Sequence, residues 1–141
     1  MKVKLDEGAF LPERAHDLDA GYDLRTPFAV TLPPADEMGD GCRVINTGVH
    51  VAIPEGYAGV IKSKSGLNIK HGITSDGLVD SGYTGAVHVK LYNHGSQWVR
   101  FEKGDKISQL VIVPVITPDL EVVEKLDETE RGENGFGSTG K

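Results

Sequence analysis

Cysteine is nearly absent: Cys42 is the only one in 141 residues. A lone thiol excludes an intrachain disulfide framework and leaves no cysteine pair for a zinc site, so a reducing, cytoplasmic setting is expected. Long apolar runs are missing too. The longest, Leu110 to Ile116, is seven residues and includes Pro114, far short of the ~20 that a spanning helix needs. Asp6 and Glu7 interrupt any apolar stretch after Lys2 and Lys4, so neither a secretory signal nor a membrane partner is expected. Positive charge is in deficit, 15 Lys+Arg against 21 Asp+Glu for a net charge of −6. A general nucleic-acid binder carries the opposite field, so no nucleic-acid partner is expected. There is no internal repeat, His16, His50, His71, His88 and His94 lack metal-ligand spacing, and no Ser/His/Asp set is recognisable from order alone.

Glycine is abundant, 18 of 141 residues against a usual ~7%. Without a collagen period this indicates tight turns and close backbone approaches rather than long helices. Apolar Val87, Val89 and Leu91 alternate with His88, Lys90 and Tyr92, the two-residue period of a half-buried strand. Val49 to Ile53 and Trp98 to Phe101 read similarly, and Ile107 to Ile116 reads as a strand buried on both faces. Turn signals punctuate these runs, among them Asn46-Thr47-Gly48, Pro54-Glu55-Gly56, Asp76-Gly77 and Lys103-Gly104-Asp105. The pattern predicts one all-β domain, a sandwich, jelly roll or barrel, with a short helix over Ser65 to Lys70 ended by Gly72. Residues 127–141 contain one large apolar residue, Phe136, among glycines. They cannot bury enough apolar area to offset their ordering entropy, so a flexible C-terminal tail is expected after a 1–126 body.

Five segments contain candidate chemistry. Ala20-Gly21-Tyr22-Asp23-Leu24 places an acid close after a glycine; a plain turn explains it, and so does a carboxylate aimed at a metal or its waters. Lys62-Ser63-Lys64-Ser65-Gly66 combines ammonium groups, hydroxyls and a helix start, which favours phosphate. It is not a Walker A loop, and a solvated strand end would look alike. Gly77-Leu78-Val79-Asp80-Ser81-Gly82-Tyr83-Thr84-Gly85 sets an acid and an aromatic among glycines, as a ligand-reading backbone or a plain hairpin does. Gln109 is a polar residue inside an apolar strand and needs a partner, structural or bound. Finally, Arg131-Gly132-Glu133-Asn134-Gly135-Phe136-Gly137-Ser138-Thr139-Gly140 offers a guanidinium and hydroxyls for phosphates and a ring for a base.

In this order, these segments resemble the five motifs of the homotrimeric dUTP diphosphatases (dUTPases), from Ala20 to the C-terminus. The resemblance implies a jelly-roll-like, distorted β-barrel with one short helix and a C-terminal lid arm over 127–141. It also implies a homotrimer with active sites shared between subunits, and Mg²⁺-dependent hydrolysis of dUTP to dUMP and pyrophosphate, which clears dUTP from the DNA precursor pool. By the same resemblance Asp80 is the general base, and Asp23 acts on Mg²⁺ through waters. Lys64, Ser65, Gly66 and Gln109 hold phosphates, Gly77, Leu78 and Val79 read uracil through their backbone, and Tyr83 packs beneath the deoxyribose. Arg131, Phe136, Gly137, Ser138 and Thr139 close over the substrate. Lys64 and Lys106 stand where the family usually has arginine, supplying point charges in place of a bidentate fork. A dCTP deaminase-like enzyme of the same fold, a lectin-like small-ligand module and a non-enzymatic β-barrel partner-binding protein are the alternatives.

Overall fold

The computed structural model describes residues 1–35 and 41–133. Its strands are β1 (Lys2–Leu5), β2 (Gly21–Arg25), β3 (Val30–Leu32), β4 (Cys42–Ala52), β5 (Tyr57–Lys62), β6 (Ile73–Val79), β7 (Ala86–Asn93), β8 (Val99–Phe101) and β9 (Lys106–Pro114). One helix, α1 (Ser65–His71), lies between β5 and β6. It stops at Gly72, which adopts φ 64° and returns its N–H to the Asn68 carbonyl at 2.9 Å, the left-handed ending that glycine favours.

Seven strands form one antiparallel sheet in the order β1-β4-β7-β6-β5-β9-β2, and β3 pairs with β8 in a separate ribbon. The large sheet curls into a half-barrel. Its concave face contains Leu24, Ile45, Val89, Leu91 and Leu110, and the ribbon adds Leu32 and Phe101 to the same core. The β7 alternation is realised as expected, with Val87, Val89 and Leu91 buried and His88, Lys90 and Tyr92 exposed. The all-β, jelly-roll-like architecture with one short helix is thus the one implied by the sequence.

The last strand is a correction. The expected run to Ile116 stops at Pro114, because proline has no N–H for the ladder. Only Ile107, Ser108 and Leu110 of β9 are fully buried, and Ile116 is 90% exposed. Regular structure therefore ends ahead of the 126/127 boundary. Residues 115–133 contain no strand or helix, and Leu120 and Val122 are almost wholly exposed.

Two features of the sheet position the site. Register places Asp23 beside Gln109, Gln109 beside Lys62, and Lys62 beside Asp76, one row across β2, β9, β5 and β6. The β6–β7 ladder, in contrast, runs only from Ile73↔Asn93 to Ser75↔Leu91. Beyond it, β6 stays with β5 as far as Gly59↔Val79 while β7 follows β4. The hairpin opens like a fork.

Candidate active site

Asp23 is the buried charge of the molecule's β2–β9 edge, its side chain 6% exposed. Gly21, two residues earlier on the same face, leaves room for the neighbouring Gln109. A Cβ at Gly21 would sit 2.5 Å from Gln109 Oε1 and 3.1 Å from its Cβ. Each carboxylate oxygen of Asp23 accepts an ammonium: Oδ1 from Lys64 and Oδ2 from Lys106, the latter at 2.6 Å. Burial alone would push this carboxyl up, but the hydrogen bonds from Lys106 and Lys64 together outweigh it and hold Asp23 below the ordinary aspartate value. Both lysines stay partly exposed, at 27% and 36%, so each ammonium keeps protons for a second anion.

The turn into α1 is fixed from below by hydroxyls. Ser63 Oγ accepts the Ser75 N–H at 2.9 Å and donates to the Ser75 carbonyl at 3.1 Å. Ser75 and Ser108 share a buried hydroxyl pair at 2.7 Å, and Ser108 Oγ donates to the Lys62 carbonyl at 2.9 Å. Gln109 Nε2 donates to the Ser63 carbonyl at 3.1 Å, a partner for its half-buried amide. Lys64, the N-cap residue, makes no side-chain cap, because an ammonium has no lone pair to accept an amide N–H; its side chain is on Asp23 instead. The first-turn amides of Ser65 and Gly66 therefore have no partner within the helix and lie beside two cations. This end of the sheet can hold a polyanion.

The open fork holds a cavity of about 250 Å³, lined by Ile61, Gly77, Leu78, Val79, Asp80, Tyr83, Ala86, Val87 and His88. Its lower wall is apolar, and on its β6 side the backbone of Asp76 to Val79 has left the β7 ladder. Asp80 is exposed at the end of β6. Tyr83 folds back over the loop, its hydroxyl donating to the Ala86 carbonyl at 3.1 Å. Gly85 makes this possible, since a Cβ there would overlap the Tyr83 ring. A flat ligand can enter between the strands and be read by backbone groups, with a carboxylate and an aromatic ring beside it.

The sequence-predicted residues thus fall into two groups. Asp23, Lys64, Ser65, Gly66 and Gln109 share the cationic end of the sheet, whereas Gly77, Leu78, Val79, Asp80 and Tyr83 share the fork. None of the first group lines the fork cavity. Asp80 is four positions along β6 from the Asp23 row and three strands over, which is about 20 Å along the sheet surface. Arg131 lies in the exposed C-terminal stretch, and Phe136, Gly137, Ser138 and Thr139 lie outside the described residues. Sequence reasoning left out the Ser63–Ser75–Ser108 hydroxyl network and the fork-lining Ile61, Ala86 and His88. Ordinary strand residues give no local signal of such roles.

A family model described as dUTPase matches residues 7–140. The chain belongs to the dUTPase family. A relative named deoxyuridine 5'-triphosphate nucleotidohydrolase, from Clostridium novyi (strain NT), is 43% identical over 140 residues, covering 97% of this chain and 95% of its own. The protein of the same name from Mus musculus is 41% identical over 140 residues, covering 99% and 83%. Among solved structures, a variant dUTPase of Staphylococcus bacteriophage 80alpha with dUpNHpp superposes with a TM-score of 0.88 at 36% identity, over 99% of this chain and 98% of that one. A variant dUTPase of S. aureus phage phi11, described for the coordination of a structural Mg(II) ion, gives 0.78 at 34% identity over 88% and 96%. The likeness to dUTPases therefore covers both residue groups.

Proposed function

We propose that this dUTPase-family chain hydrolyses dUTP to dUMP and pyrophosphate, with uracil in the β6–β7 fork and the triphosphate on the Lys64–Lys106 end of a neighbouring subunit. The fork is the observation that carries this reading. Uracil and cytosine differ by exchanging N3–H and O4 for an acceptor and an amine. Fixed backbone donors and acceptors discriminate strongly against that exchange, because the wrong base leaves buried polar groups unpaired. Tyr83, held by Ala86, forms the platform beneath the deoxyribose and leaves no room for a 2′-hydroxyl.

Asp80 adjoins the nucleoside cavity, so the phosphate nearest to it is the α-phosphate. As general base it takes a proton from water. The water oxygen adds to the α-phosphorus, the bond from that phosphorus to the bridging oxygen breaks, and pyrophosphate leaves with the electron pair. Lys64, Ser65, Gly66 and Gln109, with Lys106, hold and neutralise the phosphates at the cationic end. Arg131, Phe136, Gly137, Ser138 and Thr139 form the lid, Phe136 on uracil and the others on phosphates.

Mg²⁺ fits as a companion of the triphosphate rather than as a resident ion. Among the described residues no group of three His, Cys, Asp or Glu side chains could hold a metal, and both oxygens of Asp23 already accept ammonium protons. Asp23 would act on Mg²⁺ through the ion's waters, which this cation surrenders reluctantly. When bound, Mg²⁺ supplies charge neutralisation.

Asp80 and the Asp23 row, about 20 Å apart along the sheet of one chain, support a homotrimer whose sites are shared between subunits. The exposed apolar residues between 116 and 126 are available to cover a neighbour. Among the described residues no helix is long and apolar enough to cross a membrane, and the lone, half-buried Cys42 suits a reducing cytoplasm. The test is pyrophosphate release from each of the dNTPs and from UTP with Mg²⁺, alongside ammonia release from dCTP. Pyrophosphate from dUTP alone is expected; ammonia from dCTP would instead indicate a deaminase.

A further inference from the structure

The loop carrying Asp80 and Tyr83 is tied to the neighbouring β4–β1 part of the sheet by a histidine that the mechanism does not use. His50 lies on β4 opposite Ala86 of β7 and Lys4 of β1, immediately after the register shift that follows Asn46. Its ring meets an acceptor at each nitrogen, the Thr84 carbonyl 2.8 Å from Nδ1 and Asp6 Oδ1 3.1 Å from Nε2. Asp6 is itself anchored, its N–H on the Gly48 carbonyl at 2.9 Å. The other hydrogen bonds of the 80–85 loop are local, from Tyr83 N–H to the Asp80 carbonyl and from the Tyr83 hydroxyl to Ala86. A neutral imidazole has a single N–H and can serve only one of two acceptors; the imidazolium serves both.

We propose that His50 is a positioning residue for the catalytic loop, its doubly bonded imidazolium clamping Thr84 to Asp6 and so fixing Tyr83 against the sugar. The inference rests on the reading of Tyr83 as the deoxyribose platform. The titratable and charged groups beside His50 are Lys2, Lys4 and Asp6 on the β1 side; the loop it ties also contains Asp80 and Tyr83, and His88 is two residues along β7 from Ala86, the strand partner of His50. The bond to Thr84, then that to Asp6, hold His50 above the ordinary imidazole value despite desolvation and the opposing charge of Lys4. The clamp is therefore complete below that ordinary value, about pH 6.5, and is lost as pH rises through the higher folded value.

The experiment measures kcat and KM for dUTP and UTP from pH 5.5 to 9 in the wild type, His50→Ala, His50→Gln, Asp6→Asn and Tyr83→Ala, with a thermal melt of each. The ratio of kcat/KM for dUTP to that for UTP cancels the ionisation of Asp80 and of the phosphates, which both substrates share. Expected is a ratio about 3–10-fold lower in His50→Ala, the size of one or two lost hydrogen bonds. Asp6→Asn should fall between, and His50→Gln should recover part of the loss through its amide donor. The wild-type ratio should decline as pH rises through the raised folded-state value of His50, and the His50 variants should be flat. If His50→Ala does not fold, Asp6→Asn and His50→Gln decide the matter by the same two readouts. A ratio and pH profile unchanged in the His50 and Asp6 variants, while Tyr83→Ala collapses the ratio, overturns the clamp alone. An unchanged ratio in Tyr83→Ala overturns the sugar platform, and the clamp with it.

Discussion

Asp23 shows how one buried carboxylate can organise a polyanion site. With both oxygens on lysines, it keeps two like charges close together, as the proposed triphosphate site requires. Asp23→Asn keeps the shape and removes the charge, leaving Lys64 and Lys106 to repel each other. A loss of about 1–3 kcal/mol at pH 7 is expected, measured by urea denaturation. Because the folded-state value of Asp23 is depressed, its contribution is present above the unfolded value, near pH 4, and disappears as pH falls through the folded one. The stabilities of wild type and variant should therefore converge on acidification; a gap that persists at low pH would locate the effect in packing. Asp80→Asn separates chemistry from binding. Turnover should fall by roughly 10²–10⁴ while the affinity for dUpNHpp changes little, and near-normal turnover would remove Asp80 from the mechanism. The sequence exposed Asp23 and Asp80 as acids among glycines, but not what surrounds them. Lys64 and Lys106 lie far along the chain from Asp23 and meet it only through the β2–β9 pairing and the turn into α1.

At the scale of elements, the fork and the C-terminal segment follow different rules. Alternation in β7 was legible because one face packs on the core, and the α1 ending was legible from Gly72. The fork was not legible: whether a hairpin stays zipped depends on what its two strands pair with on their other sides. Here β5 holds β6 and β4 holds β7. The end of β9 was misread because apolar Val115 and Ile116 continue the pattern that Pro114 interrupts. The segment after β9 adds little burial of its own, so truncation before Arg131 should leave the thermal unfolding midpoint within a few degrees of the full chain. Pyrophosphate release from dUTP should nonetheless collapse, because the proposed closure delivers Arg131 and Phe136 together. A truncated protein of full activity would show that these residues are not a lid.

At the scale of the molecule, the shared site turns on the distance between Asp80 and the cationic end of the same chain. If one chain cannot bring its own Asp80 to its own phosphate site, a variant damaged in one group can be repaired by a variant damaged in the other. Asp80→Asn damages the fork. Lys64→Met with Ser65→Ala damages the phosphate end while Lys106 remains on Asp23, so the fold is kept. The loss of a charged and a neutral contact should lower turnover by about 10²-fold or more. The deciding measurement is pyrophosphate release from dUTP after the two are co-refolded in equal amounts, with mixed trimers confirmed by native mass. In a cyclic trimer each site draws its fork from one chain and its phosphate end from another, so random mixing leaves about one quarter of all sites complete. Activity near a quarter of wild type is the predicted result. Activity no higher than that of the two parents, in a sample that contains mixed trimers, would mean that one chain supplies both groups and that the shared site does not exist.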